Sequence, residues 1–156
     1  MTVADEEDPF YHFNPLQFFL LFLILSVTHN WQHEFFHLVV CKIFGGEAVV
    51  KIVMPFFATD ISVWPASQVQ SLIVVYAGGL GVALLCWFEW WTGHRDPEAR
   101  IVFHAIGWSQ GLYGILEGTA YMLGYYQHVQ SFGIVAMMVG TVYALARSRV
   151  MWRVPE

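Results

Sequence analysis

The sequence predicts an all-α integral membrane protein of about four transmembrane helices, with a short β-hairpin at the membrane surface between the first two helices. The first observation behind this prediction is composition. Hydrophobic residues make up 57% of the 156 residues and charged residues 12%, whereas a soluble domain carries about 25% charged residues. Too little polar material remains to cover a water-facing surface, so we expect a multi-pass protein surrounded by lipid. A chain of this length forms a single domain, 1–156.

The second observation is four long apolar stretches, each able to span roughly 30 Å of hydrocarbon as a helix. They cover residues 15–41, 69–91, 101–123 and 129–146. Pro15 suits a first helical turn, where its missing N–H is not needed. Residues 1–14 form an acidic N-terminal tip that we interpret as a solvated end. The chain has no basic cluster that would neutralise a row of phosphates, so nucleic acid is not an expected partner.

The third observation is the long connection between the first two helices, residues 42–68. It contains a β-branched apolar run at 48–54, a break at Pro55 and a second short run at 61–64 before Pro65. This pattern is typical of a short hairpin. Such a hairpin would offer an edge with which an extended peptide can pair.

Small residues recur at helical spacing on two of the predicted helices. The second helix has Gly78, Gly79 and Gly81, and the third has glycines at 107, 111, 114 and 118. Spacings of three and four residues bring glycines to one helix face, where they allow neighbouring helices to approach closely. We therefore expect tight contact between helices, which would also hold a site between them rigidly.

The motif that indicates chemistry is His33-Glu34-Phe35-Phe36-His37, near the end of the first helix. Histidines four residues apart lie one turn apart on the same helix face, so both can reach one zinc ion. Glu34 points to a neighbouring face, from which it can accept a proton from a zinc-bound water without ligating the metal. Polar residues inside a lipid-spanning helix require a partner or a function. The competing interpretation is a polar contact between helices.

A zinc site of this kind needs a third protein ligand, and helix direction favours Glu117. The first and third helices of a four-helix array run parallel, so Glu117 lies at a depth similar to that of His33 and His37. His104 lies about 20 Å away at the opposite end of the third helix, given a rise of 1.5 Å per residue. The remaining candidates are His29, Asp60 and His128.

His29 extends the two histidines of the motif into a stripe with four-residue spacing. We interpret it as a residue that packs beside the ligands or hydrogen-bonds to them. A second metal or a proton path is the alternative role, and the sequence leaves the roles of His29 and His104 open.

These residues also resemble a known family. Residues 33–49 resemble the core of the site-2 protease family of intramembrane zinc metalloproteases, in which HExxH is followed by a basic residue, a glycine turn and a β-hairpin. Residues 76–81 resemble the family's alanine-glycine-proline-leucine-alanine-asparagine segment, and 116–118 its leucine-aspartate-glycine motif. The resemblance covers about residues 27–123 and implies that Glu117 is the third zinc ligand. Gly79, Gly81 and Glu117 stand where the family has proline, asparagine and aspartate.

Two functions follow as expectations. The preferred one is an intramembrane zinc metalloprotease that hydrolyses a peptide bond in or near a transmembrane segment. His33, His37 and Glu117 would bind Zn²⁺, and Glu34 would be the general base. The alternative is a non-catalytic, metal-binding or structural subunit that assembles with partner membrane subunits. The resemblance implies a zinc site near the cytoplasmic face, whereas the distribution of Lys and Arg favours the reverse orientation.

Overall fold

The computed structural model contains four helices, with a two-stranded antiparallel hairpin between the first two, as predicted. It describes residues 14–53, 56–92, 97–126 and 129–151, so most of the acidic tip, Pro55 and His128 lie outside the described residues. The elements in chain order are α1 (Pro15–Ile43), β1 (Glu47–Val53), β2 (Phe56–Val63), α2 (Gln68–Thr92), α3 (Pro97–Leu123) and α4 (Val129–Met151).

Helix α1 begins at the proline that the sequence indicated. The side chain of Asn14 accepts hydrogen bonds from the backbone N–H groups of Leu16 and Gln17, both at 3.1 Å. These N–H groups have no partner inside the helix, so the cap stabilises the helix start. Helix α3 also begins at a proline, Pro97, rather than at residue 101 as predicted, because a proline in the first turn leaves no hydrogen bond unmade.

Glycines in the left-handed conformation end α1 and α3. Gly45 has φ of 78° and follows the C-cap residue Phe44, and Gly124 has φ of 76° and follows Leu123, the last residue of α3. In both cases the residue after the glycine donates its N–H to a carbonyl five residues earlier. The N–H of Gly46 donates to Cys41 at 2.9 Å, and the N–H of Tyr125 donates to Ala120 at 2.8 Å. This arrangement is the Schellman motif, and it turns the chain back sharply over the helix it has just left.

The hairpin lies against α1. Its register runs from Glu47 opposite Val63 to Val53 opposite Phe56, so β2 is longer than the predicted run at 61–64. The N–H of Phe57 donates to Asn30 Oδ1 at 3.0 Å, and the N–H of Thr59 donates to Glu34 Oε2 at 2.7 Å. Alternate N–H groups of a strand point to the same side, so one edge of β2 is bound to α1, and β1 forms the other edge of the two-stranded sheet.

Helix α2 packs against both α1 and α3, whereas within the described ranges α4 packs only against α3. The closest approach of α2 and α3 is at Gly79 and Gly114, where a methyl group on either residue would collide with the backbone of the other helix. The expectation of close helix contact through glycines therefore holds for this pair. Buried apolar side chains on these two helices include Val74, Val75, Val82, Cys86 and Val102.

Among the described helices, α2 is long and apolar enough to cross a membrane, with a mean hydropathy of 2.1 over 18 residues. A shorter apolar segment, Phe132–Tyr143, lies within α4. By length and composition, one of the described helices could therefore cross a membrane.

The glycine contact between α2 and α3 predicts different outcomes for two alanine substitutions on α3. A Cβ at position 114 would lie 2.9 Å from both Gly79 Cα and Leu80 N, whereas a Cβ at position 111 would meet Ala83 Cβ at 3.4 Å. We expect Gly114→Ala to lower the free energy of unfolding by about 1–3 kcal/mol through overpacking. Gly111→Ala should be neutral or stabilising, because alanine has a higher helix propensity by about 1 kcal/mol.

Thermal unfolding of the purified variants measures the difference, and Gly111→Ala is the matched control for a change of helix propensity. Equal loss of stability in the two variants would contradict the close backbone contact at Gly79.

Candidate metal centre

The centre lies where α1, α2 and α3 meet, and its donor atoms come from His33, His37 and Glu117. All three side chains are buried. His33 Nε2 lies 3.0 Å from His37 Nε2 and 3.3 Å from Glu117 Oε2, and His37 Nε2 lies 3.6 Å from the same oxygen. The structure thus brings together the HExxH histidines and the acidic residue that helix direction favoured, and this group could hold a metal ion.

The opposite nitrogen of each imidazole ring has a fixed hydrogen-bond partner. His37 Nδ1 is 2.7 Å from the carbonyl oxygen of Val74, and His33 Nδ1 is 3.0 Å from Gln110 Oε1. Both partner atoms are acceptors, so each Nδ1 carries the hydrogen and donates it. Metal-binding histidines are oriented in this way, with the second ring nitrogen bonded to a carbonyl or carboxylate.

The consequence is that three acceptors face one another. A neutral imidazole with a proton on Nδ1 presents a lone pair at Nε2, and the two Nε2 atoms point at each other and at a carboxylate oxygen. Glu117 Oε2 is buried and has no hydrogen-bond donor among the described residues. In an apolar interior these three acceptor atoms repel one another unless a cation, either a metal ion or a proton, lies between them.

The separations between the donor atoms match a small metal ion. Ligands of a tetrahedral zinc ion with bonds of about 2.0–2.1 Å lie about 3.3 Å apart. The three separations here, 3.0, 3.3 and 3.6 Å, bracket that value. Gly78 of α2 adjoins the donors, and a Cβ there would overlap the Nε2 atoms of both histidines. The absence of a side chain at this position leaves the donor atoms room to bind an ion.

The two carboxylate oxygens of Glu117 have different surroundings. Oε2 faces the imidazoles, while Oε1 accepts a hydrogen bond from the hydroxyl of Tyr126 at 3.2 Å. Burial, and then the negative charge of Glu117, raise the pKa of the Tyr126 phenol, so its hydroxyl keeps the proton that it donates. Tyr126 lies just after α3, where the Schellman motif turns the chain back.

Glu34, which follows His33 in the sequence, contacts the hairpin. Its Oε2 accepts the Thr59 N–H, and its backbone carbonyl accepts the Thr59 hydroxyl at 2.8 Å. Glu34 is therefore fixed between the helix that supplies two donor atoms and the strand that packs on it. The carboxylate lies on a different face of α1 from the imidazoles.

The other candidate residues lie outside the group of donors. His29 is buried one turn before His33, where its Nδ1 is 2.5 Å from the Leu25 carbonyl and its ring meets the edge of Phe103. His104 lies among aromatic rings, with Trp90 and Tyr143 at 4.9 and 5.4 Å between centroids. Asp60 forms an exposed ion pair with Lys51 on the hairpin, which removes it as a ligand. His128 is outside the described residues.

Sequence reasoning missed three groups that hold the ligands, namely the side chains of Gln110 and Tyr126 and the carbonyl of Val74. Gln110 had a detectable signal, because a glutamine two turns before Glu117 on an apolar helix lies on the same face. Tyr126 had none, because its position depends on the turn at Gly124. A backbone carbonyl carries no signal in the sequence at all.

Gln110 gives a direct test of the centre. Gln110→Leu removes the acceptor that orients His33, so we expect metal affinity to fall by about 10–100-fold, as is usual for such partners. Gln110→Glu keeps an acceptor of similar size and should preserve affinity to within a few-fold. Competition for the metal with a chelator of known affinity measures both. Equal affinities for Gln110→Leu and wild type would contradict the role given to this hydrogen bond.

Comparisons with known proteins do not add to these observations. No family model, no curated protein and no solved structure matched this chain. The donor atoms, their hydrogen bonds and their separations are therefore the basis on which a function is proposed for it.

Proposed function

We propose that the protein is a multi-pass membrane protein and an intramembrane zinc metalloprotease, similar to the site-2 protease family. The observation that carries the proposal is the convergence of His33, His37 and Glu117 at separations suited to zinc, with Glu34 adjacent on the same helix. Two histidines and one glutamate form the ligand set of several zinc peptidases. The resemblance of residues 33–49 and 116–118 to the family supports the same assignment.

Support for several membrane crossings comes from the apolar side chains on the outside of the bundle. Soluble monomers rarely expose a continuous apolar patch larger than a few hundred Å². Helix α1 exposes a row with spacings of mostly three and four residues, consisting of Leu16, Phe19, Leu20, Leu23, Ile24, Val27, Trp31 and Phe35. Helix α4 exposes another, consisting of Ile134, Val135, Met137, Met138, Val139 and Val142. Lipid is the solvent that suits both rows.

The modest average hydropathy of α1 and α3 has a local cause. The polar residues that lower it include His29, His33 and His37 on α1 and Ser109 and Glu117 on α3, and all of these are buried. The mean hydropathy of each helix therefore averages an inward face that carries polar residues with an outward face that is apolar. Intramembrane ionisable residues normally face the bundle interior in this way.

The proposed chemistry is hydrolysis of a peptide bond. Zinc, when bound by His33, His37 and Glu117, would act as a Lewis acid and lower the pKa of a water molecule. Glu34 would take the proton from the attacking water and deliver it to the leaving amine, so that the C–N bond breaks and one water is consumed. Gln110 and Val74 would hold the imidazoles in the tautomer that leaves each Nε2 free to bind.

The substrate would be an extended segment of a transmembrane or membrane-proximal peptide. The backbone carbonyls of a helical substrate already accept hydrogen bonds within the helix. The backbone of an extended substrate can instead form hydrogen bonds with the edge of a strand. The edge of β2 is bound to Asn30 and Glu34 of α1, so β1, which contains Lys51, provides the edge available to a peptide. This edge lies on the opposite side of the hairpin from Glu34, so it would hold a flanking part of the substrate rather than the scissile bond itself.

A test of the membrane location uses a position that is already exposed. Leu23 on α1 is 52% exposed. If it faces lipid, Leu23→Arg should oppose insertion by about 2.5–3.5 kcal/mol and reduce the protein recovered in the membrane pellet after an alkaline wash. Leu23→Phe, which keeps the surface apolar, should behave as wild type. Recovery of both variants in the soluble fraction, folded and equally stable, would contradict a lipid-facing α1.

A test of catalysis uses Glu34→Gln. The amide keeps an oxygen that can accept the Thr59 N–H, so we expect the fold and the zinc content to be retained. Cleavage of a membrane-embedded model substrate should fall by at least about 10²-fold, because the proton acceptor for the attacking water is lost. Zinc content by elemental analysis, thermal stability and cleavage are measured on the same purified samples.

Glu117→Ala is the control for metal loss, and it should lose both zinc and cleavage. Equal cleavage rates for wild type and Glu34→Gln would contradict the catalytic role of Glu34. Iron rather than zinc in the wild type would overturn the choice of metal, since two histidines and a carboxylate also bind Fe²⁺ in oxygenases.

The hydrogen bond from Thr59 to Glu34 favours one alternative, a non-catalytic metal-binding subunit of a membrane complex. In that case Glu34 serves to attach the hairpin, and Glu34→Gln would leave the function intact. His33→Ala or His37→Ala would instead lower stability or assembly through loss of the metal. The same set of variants therefore separates the two functions.

A further inference from the structure

A row of three aromatic rings lies beside the metal centre and has no part in the function proposed above. Trp64, which follows β2, stacks on Tyr121 of α3 with 5.4 Å between ring centroids. Tyr121 in turn meets Tyr126 edge to face at 6.0 Å. Aromatic contacts of this geometry are favourable and hold the rings in defined orientations. The row ends at the Tyr126 hydroxyl, which donates to Glu117 Oε1.

The backbone explains how Tyr126 reaches a residue nine positions earlier. The Schellman motif at Gly124 reverses the chain, and the N–H of Tyr125 bonds to the carbonyl of Ala120. Tyr126 is thereby turned back along α3 towards Glu117. Tyr126 as a whole residue is 45% exposed, while its hydroxyl reaches the buried Glu117 carboxylate.

We propose that Tyr126 is a positioning residue that makes Glu117 a ligand through one oxygen only. The hydrogen bond engages Oε1, while Oε2 is the oxygen that faces His33 and His37 at 3.3 and 3.6 Å. A carboxylate that bound zinc through both oxygens would occupy an additional coordination position. Catalytic zinc sites keep a position open for water or substrate. Tyr126 preserves that position by holding the second oxygen away from the donors.

This inference rests on the proposed metal centre, but it can be tested without any protease assay. The probe is Co²⁺, whose visible absorption is strong in four-coordinate sites and weaker in five-coordinate ones. Tyr126→Phe removes only the hydroxyl and keeps the ring contact with Tyr121. We expect the cobalt-loaded variant to retain one metal ion per chain but to show weaker visible bands, because the freed Oε1 joins the coordination sphere.

Tyr125→Phe is the matched control, because the neighbouring tyrosine is 57% exposed and lies in the same turn. It should leave the cobalt spectrum and the affinity for the metal unchanged. If cleavage is observed for the wild type, Tyr126→Phe should lower kcat by at least about 10-fold, because Oε1 would fill the position kept for the attacking water.

An unchanged cobalt spectrum in Tyr126→Phe overturns the positioning role even if the wild type is an active protease. A changed spectrum in both tyrosine variants overturns it as well, because the effect would then come from the turn as a whole. A wild type that binds cobalt with the expected spectrum but cleaves nothing counts against the protease proposal and leaves the positioning role supported. A wild type that binds no metal overturns both.

Discussion

Three hydrogen-bond acceptors that face one another inside an apolar bundle are the constraint on which the rest of the structure depends. His33, His37 and Glu117 can share this space only with a cation between them. The surrounding helices meet that requirement, since Gly78 leaves space beside the imidazoles and Gln110 accepts a hydrogen bond from the His33 ring. Helix α2 packs on both α1 and α3, so it also holds together the two helices that supply the donors.

Helix α1 combines three surfaces on one cylinder. Its inward face supplies the two imidazoles, a second face at Asn30 and Glu34 binds the backbone of β2, and a third is a row of exposed apolar side chains. The faces are separated by the 100° that each residue advances around a helix. Changing the rotation of α1 would disturb all three surfaces together, so the hairpin contact also fixes the direction in which the histidines point.

The sequence was sufficient for the features that depend on periodicity and spacing. Four helices, the hairpin and the two histidines of the motif followed from local patterns, and Glu117 followed from the direction of neighbouring helices. The length of β2 did not follow, because its pairing with α1 through Thr59 is a tertiary contact. Likewise, the partner of Glu117 Oε1 depends on the direction in which a glycine turn sends the chain, which no side-chain pattern records.

Helix α4 touches α3 and no other helix within the described ranges, while every donor of the metal centre comes from α1 or α3. The described helices therefore divide into α1, α2 and α3, which surround the metal centre, and α4, which packs on the outside of α3. Substitutions in α4 are constrained where it packs on α3, at contacts such as Gly133 with Tyr113 and Gly140 with Ser109. The rest of its surface contacts no other described helix, so substitutions there would leave the donors of the metal centre in place.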